Sequence, residues 1–150
     1  MKLLVTEECG RLARWLRLMG HDTKQMATYP VSQVYLTAYN EQRRIITRNR
    51  KVRDGRLVRV LQLESTVLED QLRQVAQGLG LAADETRWFR LCDRCNVEVE
   101  VIDKSAVQGR VPPYVYQTQD TFHICPSCQR IYWAATHWQR TRTLLKRITS

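Results

Sequence analysis

Along the first eighty positions, apolar residues fall into runs that alternate between two periods. Leu3-Leu4-Val5 is a short continuous apolar run of the kind a buried strand has. Leu12, Trp15, Leu16 and Met19 then follow at the i, i+3, i+4, i+7 spacing of a helix, and Gly20 suits its C-terminal cap. Arg11, Arg14 and Arg17 lie three apart, so they form a second stripe on that helix, as its solvent side would. Val31, Val34, Tyr35 and Ala38 give another helical face, Ile45-Ile46-Thr47 is a β-type run, and Leu57 to Leu61 reads as a further strand. Thr66 with Glu69 three residues on is a capping box, and Leu68, Leu72, Val75, Ala76 and Leu79 supply the buried face of the helix it starts, which Gly78 and Gly80 end.

Strands alternating with helices predict an α/β domain built on a parallel sheet, in which ligands bind beyond the carboxyl ends of the strands. Those ends lie near Thr6 and Thr47. The polar, acidic stretch from Ala82 to Arg87 reads as a linker, dividing the chain into an α/β domain over 1–86 and a second unit over 87–150. There the pattern changes to short β-like runs: Val97 to Val101 alternates, and Tyr114 to Tyr116 and Ile131 to Trp133 are β-rich.

At 150 residues the chain has room for one good core or for a modest domain plus a small module, and at 43% hydrophobic and 26% charged it is too apolar for a disordered protein. No apolar run approaches the ~18 residues of a membrane span. Met1 to Val5 leads straight into Thr6-Glu7-Glu8, without the hydrophobic region of a signal peptide, so a cytoplasmic protein away from membranes is expected. The net charge of +9 is unevenly spread, at +8 over 1–60, −4 over 61–86 and +5 over 87–150. Its densest part, Arg43 to Arg59, has eight basic residues and one acidic, Asp54. Such a cluster is a footprint for phosphate, because each neutralised phosphate releases counterions.

Four of the five cysteines form two pairs, Cys92-Asp93-Arg94-Cys95 and Cys125-Pro126-Ser127-Cys128, with 29 residues between them. A C-x-x-C turn lets two thiolates meet one ion, and two such turns complete the tetrahedral sulfur shell of structural zinc. With the β-rich runs between and after them, they predict a zinc ribbon in which the ion supports folding, since four protein ligands leave no open position for catalysis. Two disulfides are disfavoured without a secretory signal. Cys9 reads as a buried small residue, His21 as a turn residue, and His123 and His137 as surface or RNA-facing side chains.

The chain resembles the Mut-seven C-terminal RNase domain proteins, in which a PIN-like nuclease domain is fused to a zinc ribbon. The resemblance rests on Gly10 to Asp22, on Ile45-Ile46-Thr47-Arg48-Asn49-Arg50, on the two cysteine pairs, and on Arg110 to Tyr116 and Arg130-Ile131-Tyr132-Trp133. It implies a cluster of carboxylates at the carboxyl edge of the sheet, holding Mg²⁺ or Mn²⁺ that activates water. The positions where that pattern places aspartates are Thr6 and Asn49 here, and the segment Ala27-Thr28-Tyr29-Pro30 has no acid at the third. Glu7 and Glu8 are the nearest substitutes, with Asp54 and Glu41 more remote; alternatively the two glutamates merely complement the following helix N-terminus.

The leading expectation is therefore a degenerate PIN-like domain that binds RNA, or an RNA-protein assembly, through Arg11, Arg14, Arg17, Arg48, Arg50, Lys51 and Arg53. Trp138 and Arg140 add a contact from the ribbon, and Arg142, Lys146 and Arg147 extend a basic C-terminal run. An active Mg²⁺- or Mn²⁺-dependent ribonuclease using the substitute acids, and a module that binds an acidic protein, are the alternatives.

Overall fold

The fold is taken from a computed structural model that describes residues 1–134 and 136–149. Strand β1, Lys2–Thr6, is followed by a 3-10 turn over Glu7–Cys9 that runs directly into helix α1, Gly10–Leu18. Then come β2, Asp22–Met26; α2, Val31–Glu41; β3, Arg44–Thr47; β4, Val60–Gln62; and α3, Leu68–Leu79. The four strands form one parallel sheet in the order β2-β1-β3-β4. Alternation along β1 explains why both faces are covered: Leu3 and Val5 join Ile46, Leu12, Leu16, Leu72 and Val75 on one side, while Leu4 joins Ile45, Val34 and Ala38 on the other. Each such fully buried aliphatic side chain stabilises the fold by about 1.5–3 kcal/mol.

Strand β2 escapes the hydrophobic pattern because it is an edge strand, Asp-Thr-Lys-Gln-Met, with only Thr23 buried. The expected capping box does not form. Helix α3 begins at Leu68 with Val67 at its N-cap, and Ser65 Oγ, not Thr66, accepts from the Val67 amide while bonding Asp70. Gly20 lies just beyond α1 at φ +86°, where an added Cβ would fall against the backbone oxygen of Arg87. It is required there both by conformation and by the close passage of the linker.

The second unit contains β5, Glu100–Ile102; α4, Pro113–Thr118; β6, Phe122–Ile124; and β7, Ile131–Tyr132, with a three-stranded antiparallel sheet in the order β5-β6-β7. Tyr114 to Tyr116, expected to be extended, is helical because Pro113 occupies the first helical position, where its missing N–H costs nothing. The last helix, α5, Thr136–Thr149, leaves the ribbon and packs on α3, so that Leu145 and Ile148 complete the core of the α/β lobe. No helix among the described residues is long and apolar enough to cross a membrane.

Candidate functional site

Strands β1 and β3 are neighbours, and their last residues, Thr6 and Thr47, are fully buried at the carboxyl edge of the sheet. The 3-10 turn after β1 folds Glu8 back over these strand ends. Glu8 Oε1 accepts hydrogen bonds from the Thr6 hydroxyl at 2.6 Å, the Thr47 hydroxyl at 2.9 Å and the Arg48 amide at 3.1 Å. Its Oε2 accepts from the Thr28 hydroxyl at 3.0 Å, and the Thr6 and Thr47 oxygens are themselves 2.7 Å apart. Partial burial raises the pKa of the Glu8 carboxyl, but the bonds from Thr6, its own amide, Thr47 and Thr28 outweigh that and hold it below the usual value. Burial and the neighbouring Glu8 charge push the Cys9 thiol up to about 11, so it stays a protonated core residue.

Glu8 lines a cleft of about 290 Å³ together with Glu7, Thr28, Arg48 and Asn49. Asn49 donates from Nδ2 to the Tyr29 hydroxyl at 3.1 Å and accepts the Lys51 amide on Oδ1 at 2.9 Å. Hard divalent cations such as Mg²⁺ need several oxygen ligands, carboxylates among them. Two carboxylates, Glu7 and Glu8, line the cleft beside Arg48, Thr28 and Asn49. Glu8 is already used by three hydroxyls and an amide, which leaves Glu7 as the one uncommitted acid of the lining, so this set is poorer than the carboxylate cluster that would hold such an ion. The other candidate acids do not complete it. Asp54 takes the Val60 amide at 2.7 Å and pairs with Arg59, while Glu41 pairs with Lys24 and Arg43 at the opposite edge of the sheet.

In the second unit the four paired cysteines come together, with all Sγ atoms within 4.8 Å of one another. Cys92 and Cys128 Sγ are 3.8 Å apart, the edge expected of a tetrahedron with zinc–sulfur bonds of about 2.3 Å. The two C-x-x-C turns are built alike. Each is followed by a left-handed residue, Asn96 at φ 59° and Gln129 at φ 65°, whose amide bonds back to the first cysteine's carbonyl at 2.9 Å. Burial raises the thiols, yet the Tyr132 hydroxyl 3.0 Å away and hydrogen bonds from the Arg94 and Cys95 amides bring Cys92 down to about 7. Burial and sharing with Cys128 hold Cys95 near 12. Thiols crowded like this compete for a single negative charge, a conflict that a divalent cation removes. The cluster fits zinc as a structural ion.

A family model of the Mut7-C RNAse domain matches residues 1–145. The chain belongs to the Mut7-C RNase domain family. No curated protein and no solved structure matches it significantly.

In this Mut7-C chain the expected nucleic-acid residues divide into two groups. Arg11, at the start of α1, and Arg50, Lys51 and Arg53, in the loop after β3, are exposed at the carboxyl edge of the sheet, with Arg48 at the cleft. Lys51 Nζ stands 5.7 Å from the ring centre of the exposed Tyr29. Arg17 is different: it is 7% exposed, and its guanidinium donates to the carbonyls of Thr23 at 2.8 Å, Asp93 at 3.0 Å and Arg94 at 3.2 Å. Arg14 donates from Nε and Nη2 to Asp93 Oδ2 at 3.0 and 2.7 Å. The arginine stripe of α1 thus clamps the first C-x-x-C turn to the α/β lobe instead of facing solvent throughout.

Neighbouring residues complete this joint. Asn96 accepts the Thr23 amide and donates to Asp22, and the Tyr132 hydroxyl donates to Asp93 Oδ1 at 2.8 Å and lies 3.0 Å from Cys92 Sγ. The sequence does not single out Asp93, Asn96, Tyr132 and Thr28 as functional residues; its signals for them are that Asp93 and Asn96 sit within and just after a C-x-x-C pair, Tyr132 in the Arg130 to Trp133 block and Thr28 in the segment Ala27 to Pro30. In the C-terminal helix Arg142 and Lys146 pair with Glu85, and Arg147 with Glu69, which leaves Arg140 exposed. Trp138 is half-buried against Phe89, ring centres 4.3 Å apart. His21 is buried, His123 lies on β6, and His137 lies outside the residues whose side chains are described.

Proposed function

We propose that this Mut7-C chain is an RNA-binding protein whose sheet edge has lost nuclease chemistry, with zinc holding the ribbon against the lobe. The observation that carries this reading is the saturation of Glu8, the central carboxylate at the strand ends, by Thr6, Thr28, Thr47 and the Arg48 amide. Neutral hydroxyls at these positions do not supply the negative charge that holds a catalytic cation. Arg11, Arg48, Arg50, Lys51 and Arg53 remain around that edge to neutralise phosphates. RNA free or within an RNA-protein assembly presents the same backbone to this face. Two C-x-x-C pairs brought together as one metal-type cluster, and not as disulfides, fit a reducing, cytoplasmic setting.

Fluorescence anisotropy with labelled RNA between about 50 and 200 mM salt tests the reading, because log affinity for single strands falls with a slope of roughly −0.7 per neutralised phosphate. A steep slope without cleavage in Mn²⁺ is expected; an affinity insensitive to salt refutes phosphate binding. The position of Glu8 in the cleft favours one second reading, an active ribonuclease with a substituted carboxylate. Cleavage in Mn²⁺ that disappears in Glu8→Gln establishes it instead. Co-purification of a stoichiometric acidic protein without nucleic acid turns the face into a protein-docking surface.

A further inference from the structure

A second and larger depression, of about 660 Å³, opens between the α/β lobe and the ribbon, within the range of about 300–1,000 Å³ typical of ligand sites. Its ribbon wall is one face of the β5-β6-β7 sheet. Register places Val101, His123 and Tyr132 opposite one another in a single row across the three strands. Ile102, Phe122, Ile131 and Trp133 turn to the other face and form the ribbon's own core. Antiparallel sheets ordinarily present polar residues on the face that is not packed. Here the row is apolar and aromatic, and Val101 is 77% exposed.

The facing wall is aromatic as well, with Trp138 packed against Phe89 at an interplanar tilt of 48° and the buried Trp88 among the lining residues. Charge at the depression is net positive. Arg14 compensates Asp93, which also feels the charge of the exposed Arg130, while Arg90 is exposed and Glu98 is the remaining acid of the lining. The Arg130 guanidinium stands 5.6 Å from the ring centre of Tyr132.

We propose that this inter-lobe groove binds unpaired nucleobases of single-stranded RNA, with the Val101-His123-Tyr132 row and Trp138 as stacking walls and Arg90 and Arg130 on the flanking phosphates. Flat apolar walls accept the face of any base, and exposed arginines beside them neutralise the backbone; that combination is what distinguishes a single-strand platform from a purely electrostatic surface. A duplex hides its base faces and has no use for such walls. The proposal rests on the RNA-binding reading above, and it adds that the basic sheet edge takes backbone while the groove takes bases.

The probes are an oligoadenylate of roughly ten nucleotides and an RNA duplex of equal length, added to the zinc-loaded full chain. Quenching of tryptophan fluorescence by the single strand and not by the duplex is expected in the unaltered protein, a readout that needs no variant to fold. Val101→Glu and Arg130→Ala alter exposed side chains. Each is expected to weaken single-strand binding about 5- to 50-fold and to leave duplex binding within about twofold. Lys51→Ala with Arg50→Ala at the sheet edge weakens both probes. If the groove variants bind the single strand as tightly as the unaltered protein while the sheet-edge variant does not, the groove proposal is overturned and the RNA reading stands. If neither probe binds the unaltered protein, both fail.

Discussion

Arg17 offers the sharpest test of the physical picture, because its place in the α1 arginine stripe suggested a phosphate ligand whereas its surroundings make it a strut. Replacing it by Met keeps the aliphatic stem and removes the guanidinium, leaving the carbonyls of Thr23, Asp93 and Arg94 without their donor. Hydrogen bonds to a charged donor stabilise by about 1.5–3 kcal/mol each. Part of that loss is offset, because the buried guanidinium no longer has to be desolvated, a cost of several kcal/mol. A net destabilisation of about 2–4 kcal/mol remains, which for a chain of this size lowers the melting temperature by roughly 4–16 °C. Thermal unfolding of the zinc-loaded protein at neutral pH measures it, with RNA affinity determined well below the transition. Arg17→Lys, a point charge that cannot span three carbonyls, should recover less than half of the loss. An unchanged melting temperature accompanied by weakened RNA binding would refute the strut and return Arg17 to the interface.

Three further outcomes follow from the same structure. Metal analysis should find one zinc per chain, and a strong chelator, or Cys125→Ser, should abolish the near-ultraviolet dichroism of the ribbon; an intact ribbon without metal contradicts the tetrahedral assignment. Glu8→Gln should lower stability at neutral pH by about 1 kcal/mol, solvent screening having reduced the effect, and should tighten RNA binding by removing a negative charge from the basic face. Because the Glu8 pKa is depressed in the fold, its contribution is present above the unfolded value of about 4.3 and is lost as pH falls through the folded value. The difference from Glu8→Gln should therefore vanish in acid, and a difference that grows there excludes an ionised Glu8. Gly20→Ala must adopt φ +86° against the Arg87 oxygen and should cost about 2 kcal/mol or more in denaturant unfolding, with a smaller cost showing that the linker gives way.

The apolar periods were enough to specify the parallel-sheet lobe, its three principal helices and the two strand ends where a site belongs, because burial on both faces writes continuous runs into β1 and β3 and a stripe into α1. The cysteine spacing likewise pointed to the cluster of Cys92, Cys95, Cys125 and Cys128, since a tetrahedral sulfur shell leaves few alternatives for two C-x-x-C pairs. Edge strand β2 was illegible for the opposite reason: half-exposed polar residues carry no period. The tertiary structure alone decided which charges are free. A stripe of arginines at helical spacing is identical in sequence whether it meets water or carbonyls, and only the docking of the first C-x-x-C turn shows that Arg17 meets Thr23, Asp93 and Arg94. The same holds for Glu8, whose partners Thr28 and Thr47 lie 20 and 39 positions away. Long-range convergence of polar groups leaves no local pattern, because a hydrogen bond constrains distance and angle in space and nothing along the chain.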